Sequence, residues 1–199
     1  MSEIARLCVT LSALAVLSAS IARQSPQAAD WSRADLDTVR LSPGKFAGLP
    51  SIIRTELDRR GCTIPQPFTA RPDRPQNAIR GRFISRTSTD WAVLCSRQRR
   101  SAILVFRDEG VTTIDELAAE DDAGRLQVTD PGKIGYSRGI GVADPNDIRR
   151  HNLRPATPLP TLDHDGIDDA FIEKASVIWY WASNRWLQLA GADAPAGGW

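Results

Sequence analysis

The densest run of chemistry-bearing residues is Asp163-His164-Asp165-Gly166-Ile167-Asp168-Asp169. It matches D-x-D-G-x-x-D, the core of calcium-binding loops in which alternate oxygens converge on one point and a glycine permits the sharp turn. On that reading Asp163, Asp165 and Asp169 supply carboxylates and the Ile167 carbonyl supplies a backbone ligand, so calcium is the one cofactor the sequence suggests. The match is incomplete, because Thr161 stands where an acid is usual and Glu173 is the downstream acid left to act as a bidentate ligand. Calcium takes about 6–8 oxygens, and a shortened acidic loop offers too few for tight binding. The competing reading is an Asp-Gly turn feeding a regular element, with Asp168 and Asp169 as caps.

Three further groups have chemistry within their residue types. His164 lies between two aspartates, a neighbourhood that favours acid–base work, yet sequence neighbours in a turn point apart, so an exposed loop histidine is expected. His151, in the basic run IRRHNLR, reads as a solvated helix end. Trp179 and Trp181 are two apart and share one strand face, which serves either to stack a sugar or peptide or to pack a core.

The chain contains no G-x-S-x-G elbow, no H-E-x-x-H, no phosphate-binding glycine loop and no dinucleotide fingerprint, and two histidines exclude a histidine-rich zinc site. Paired-carboxylate hydrolysis has acids at hand in Asp90, Asp163, Asp165, Asp169 and Glu173, but their spacing selects none of them. A formal net charge of +1 gives no electrostatic reason to expect nucleic acid or an anionic membrane as partner.

The compartment is read from the first residues. Arg6 precedes an uncharged run from Leu7 to Ala22, rich in small residues, and polarity returns at Arg23. That is the plan of a secretory signal peptide with cleavage after Ala22, and the run is short for a membrane span of about 20 residues. Residues 1–22 are therefore expected to leave, 23–45 to form a loosely ordered lead-in, 46–193 a single globular domain and 194–199 a flexible tail. The mature chain then has no membrane span and is periplasmic or secreted. Cys8 leaves with the signal, so Cys62 and Cys95 remain in an oxidising compartment, where a disulfide is the simplest outcome.

Stepping along the domain, LPSIIRTELDRR reads as a helix over 49–60, with Leu49, Ile52, Ile53 and Leu57 on one face and Gly61 at its end. Four prolines make 63–80 a surface connection. Strands are expected at 82–85, 91–96 and 101–106, the last two joined by a hairpin at 97–100, with weaker strands at 111–114 and 126–128 in an acidic, irregular stretch. Ile134–Val142 suits an edge strand, Asp144-Pro145 opens a short helix, and a second proline-rich connection follows. The chain closes on a hairpin turning at Ser183-Asn184. The class is α+β: mainly antiparallel sheet, in meander and hairpins, with one principal N-terminal helix packed on it.

Taken together, RRGCTIPQ, DWAVLCS with SAILVF, and DHDGIDDAFIEKAS with RWLQLAGAD resemble a family of uncharacterised exported bacterial proteins across most of 46–193. The resemblance implies export and these boundaries rather than an activity. GRFISRTSTDWAVL is similar to the G-x-F…D-[YW]-A-V pattern of FG-GAP-type calcium-loop repeats, with SRTSTD here in place of their acidic loop. The functional expectation is a non-enzymatic binding or envelope-associated module, its partner a protein or cell-wall ligand. The alternatives are an envelope hydrolase using acidic residues and an inhibitor or immunity protein against a cell-wall hydrolase.

Overall fold

The computed structural model describes residues 26–130, 132–152 and 158–193. The expected signal segment, the tail and the middle of the second proline-rich connection lie outside them.

Two hydrophobic runs, 91–95 and 102–106, set the architecture. They form β4 (Asp90–Arg97) and β5 (Arg100–Phe106), which pair in register from Trp91↔Phe106 to Arg97↔Arg100. Such runs are apolar on both sides of the pleat because both faces of the sheet are covered. Trp91, Val93, Cys95, Leu104 and Phe106 face one core, while Ala92, Leu94, Ile103 and Val105 face another. Flanked by β3 (Ala78–Gly81) and β6 (Ile114–Asp121), they make a four-stranded antiparallel sheet in the order β3-β4-β5-β6. A second sheet, in the order β12-β11-β10-β9, is built from β9 (Arg138–Ala143), β10 (Gly166–Phe171), β11 (Ala175–Ala182) and β12 (Arg185–Asp193).

The two sheets meet through Leu94, Ile103, Ile140 and Ile167, with Trp179 and Trp186 packed against them. Each large side chain removed from water there contributes roughly 1.5–3 kcal/mol. Outside the first sheet lies α2 (Ser51–Arg59), whose Ile53 and Leu57 are fully buried. Its end is a Schellman turn: Cys62 N–H donates to the Leu57 carbonyl, Gly61 N–H to that of Asp58, and Gly61 takes φ +71. Cys62 thereby reaches β4, where it is bonded to Cys95 across a Cα–Cα distance of 5.1 Å. Outside the second sheet lies α3 (Pro145–His151), capped by Asp144, with Ile148 packed among Leu162, Ile178 and Tyr180.

Several expectations need correction. Ile52 is 52% exposed rather than part of the buried face of α2. The strand expected at 82–85 lies instead at 78–81, and the acidic stretch contains the eight-residue β6. The region expected as a loose lead-in includes α1 (Pro26–Asp37), longer than α2, so the helix over 51–59 is not the one principal helix. Periodicity missed α1 because ions as well as apolar groups anchor it. Trp31 and Ala34 touch the inter-sheet core, while Asp35 meets Arg40 at 2.8 Å, and Arg40 also meets Asp122 at 2.9 Å.

Small antiparallel pairs complete the frame: β1 (Arg40–Leu41) with β2 (Ile64–Pro65), and β7 (Leu126–Asp130) with β8 (Lys133–Tyr136). Buried Asn77 ties the first of these pairs, through β2, to β9 of the sandwich. Its amide donates to the carbonyls of Pro65 (2.7 Å) and Arg138 (3.1 Å) and accepts from Ile140 N–H (2.9 Å), at a φ of +71 that asparagine tolerates better than most residues. Among the described residues no helix is long and apolar enough to cross a membrane.

Candidate functional site

The acidic motif does not close around a point. From Gly166 onward it is the extended strand β10, which carries Asp169 along the sheet while Asp163 and Asp165 stay in the segment before it, and the three take separate partners. Asp165 receives the backbone N–H of Arg82 at 3.0 Å and its guanidinium at 3.1 and 3.2 Å. Asp169, 4% exposed, forms a bidentate pair with fully buried Arg138, both contacts at 2.9 Å. The Arg138 guanidinium also donates to the Ala118 carbonyl at 2.9 Å and lies 3.0 Å from Glu120, so it fastens β9 and β10 of one sheet to β6 of the other. Ala118 sits at φ +51 opposite a register shift between Ser101 and Ile103, a bulge adjoining this contact. Ile167 lies in the ladder, opposite Val142 and Trp179. Among the described residues no group of three or more His, Cys, Asp or Glu is arranged to hold a metal ion. Gly166 answers a packing need rather than a left-handed turn, since a Cβ there would lie 2.6 Å from Ile178 Cγ2 and 3.3 Å from Ile148 Cδ1.

His164 is buried, not exposed as expected. Its ring stacks on Tyr180 at 4.3 Å between centroids, and Nδ1 lies 2.7 Å from Asp163 Oδ1. That hydrogen bond, first among the causes, holds the Asp163 carboxyl below its usual range. His151 is exposed at the end of α3. Trp179 packs into the inter-sheet core, and Trp181 has Arg107 over its ring at 4.2 Å and Trp186 edge-on at 5.5 Å, so neither presents an open stacking platform. Asp90 is fully buried and clamps the preceding loop, accepting from Phe83 N–H, Ile84 N–H and the Ser88 hydroxyl on one oxygen and from Asp108 N–H on the other. Glu173 is exposed in the β10–β11 turn.

What the sequence did not announce is a groove of about 660 Å³ walled by the end of α1 and the chain after it, the loop 66–75, and β8. Its volume lies inside the ~300–1,000 Å³ range of small-molecule sites. Val39, Leu41, Pro67, Phe68, Pro75 and Ile134 give it an apolar surface. Each wall has an identifiable cause. The Asp35–Arg40–Asp122 ion chain fixes the end of α1, with the Ser96 hydroxyl donating to Asp122 at 2.6 Å. Phe68 N–H donates to the Tyr136 carbonyl at 2.7 Å, and Gly135 lets the two segments touch, because a Cβ there would lie 2.8 Å from Phe68 Cβ. The only local sign was an aromatic residue among four prolines in a connecting segment.

The fold and groove together define a two-sheet antiparallel sandwich with helices on its outer faces and a ligand-sized apolar cleft beside it. No family model, no curated protein and no solved structure matches this chain.

Proposed function

We propose that this protein is an exported, periplasmic or secreted, non-enzymatic binding module whose ligand seat is the groove between α1, the loop 66–75 and β8. The observation that carries the reading is that groove: a ligand-sized apolar concavity held by a disulfide-stapled sandwich and a buried ion chain. Three of the five acids open to a hydrolase support it from the other side, since Asp90, Asp165 and Asp169 are engaged in structural hydrogen bonds.

The test is thermal unfolding of the folded protein against a panel of small apolar and amphipathic molecules, with Ala70→Trp as the groove-filling variant. A ligand at a hundred times its dissociation constant adds about 2.7 kcal/mol, and at about 2–4 °C per kcal/mol the midpoint rises by roughly 5–11 °C. The shift should vanish in Ala70→Trp, a half-buried position on the groove wall that belongs to none of the hydrophobic cores. A stabilising ligand that ignores the substitution, or a panel without effect on either protein, would overturn the reading.

A further inference from the structure

Resting on the groove as the ligand seat, we infer that its ligand is a free single-chain amphiphile with an anionic head, of the fatty-acid class, whose carboxylate meets Lys45. The inference follows from which polar groups the groove leaves open. Gln66 points both amide hydrogens at backbone carbonyls, of Ile64 at 3.1 Å and Gln76 at 2.9 Å, and its oxygen accepts from Gln76 N–H at 2.7 Å. The Thr38 hydroxyl donates to the Ala34 carbonyl, and the Tyr136 hydroxyl lies against Ser101 on the other side of its strand.

Backbone N–H groups along the loop 66–75 are engaged as well. Gln66 N–H donates to Val39, Phe68 N–H to Tyr136 and Ala70 N–H to Pro67, while Pro67, Pro72 and Pro75 have no N–H to offer. A peptide adding itself as a strand needs a ladder of free main-chain groups, and a sugar needs several free donors and acceptors. These lining groups supply neither.

Charge completes the picture. Of the charged residues on the groove, Arg71 and Asp73 pair with each other at 3.1 Å, and Asp37 pairs with Arg33 at 2.8 Å. Lys45 is exposed, lines the groove and makes no ion pair among the described residues. One unpaired cation beside an apolar cleft complements one anion on an apolar chain.

Calorimetric titration of the intact protein with decanoate, decanol and decyltrimethylammonium, below their aggregation thresholds, tests this. Decanoate should bind best of the three. Dodecanoate should bind about 15-fold more tightly than decanoate, since each buried methylene contributes about 0.8 kcal/mol. Lys45→Glu should weaken decanoate by about tenfold or more and leave decanol unchanged. If decanol matches decanoate and Lys45→Glu changes neither, while Ala70→Trp abolishes both, the anionic-head inference fails and the groove survives as the seat. If decanoate binding persists in Ala70→Trp, both fail. If none of the three probes binds, the amphiphile class is wrong, and the broader panel judges the groove independently.

Discussion

Replacing Asp169 by alanine separates the two roles open to that residue, and its size can be worked from the contacts. The substitution removes two charge-assisted hydrogen bonds of 2.9 Å from a guanidinium with no solvent exposure. Breaking one side of a buried pair costs about 3–5 kcal/mol, because the remaining charge has no water to turn to. Glu120 at 3.0 Å, itself 32% exposed, and the Ala118 carbonyl continue to hold Arg138, which places the expected loss near the lower end, at about 3 kcal/mol. Urea unfolding followed by tryptophan fluorescence should show that loss with an unchanged slope, and the thermal midpoint should fall by about 6–12 °C. Chelator should alter neither protein. A loss under 1 kcal/mol would refute the buried-rivet argument. An unfolding midpoint that falls on chelation in the parent and not in the variant would restore Asp169 as a calcium ligand.

Other consequences are open to measurement. Reducing the Cys62–Cys95 bond, which spans 33 residues, should destabilise the protein by about 3–4 kcal/mol on the chain-entropy estimate; equal stability of Cys62→Ser/Cys95→Ser and the oxidised parent would contradict this. Burial is the first cause that raises both tyrosine hydroxyls above their ordinary value near 10, with the charge of Asp122 adding to it at Tyr136. Because the folded values are raised, their contribution to stability is complete below that ordinary value and is lost as pH climbs through the folded ones. Phenolate absorbance should therefore appear late and together with unfolding, and a normal, reversible titration of either tyrosine in the folded protein would argue against the burial. Protein recovered from its native host should begin at Arg23 by mass spectrometry; a retained Met1 with both thiols free would remove the export reading.

Central parts of this molecule were legible in its sequence, and others were not, for a physical reason that individual residues make plain. The runs 91–96 and 101–106, the turn at Ser183-Asn184, the helix opened by Asp144-Pro145 and the Gly61 stop are local: neighbours within a few residues decide them, through pleat alternation, capping oxygens and a glycine's tolerance of positive φ. Cys62–Cys95 was readable from the cysteine count and the compartment the sequence leads one to expect. The fate of Asp163–Asp169 was not, because the same letters can curl around an ion or lie straight, and the choice rests on Arg82 and Arg138, some 83 and 31 positions away. The burial of His164 depends on Tyr180, and α1 depends on an ion chain through Arg40 to Asp122. By itself the sequence determined the two hairpins built on 91–106 and 175–193 and that the sheet is antiparallel. Only the tertiary structure decided which carboxylates are tied to arginines and where an apolar groove forms among the described residues, since both follow from contacts among segments far apart along the chain.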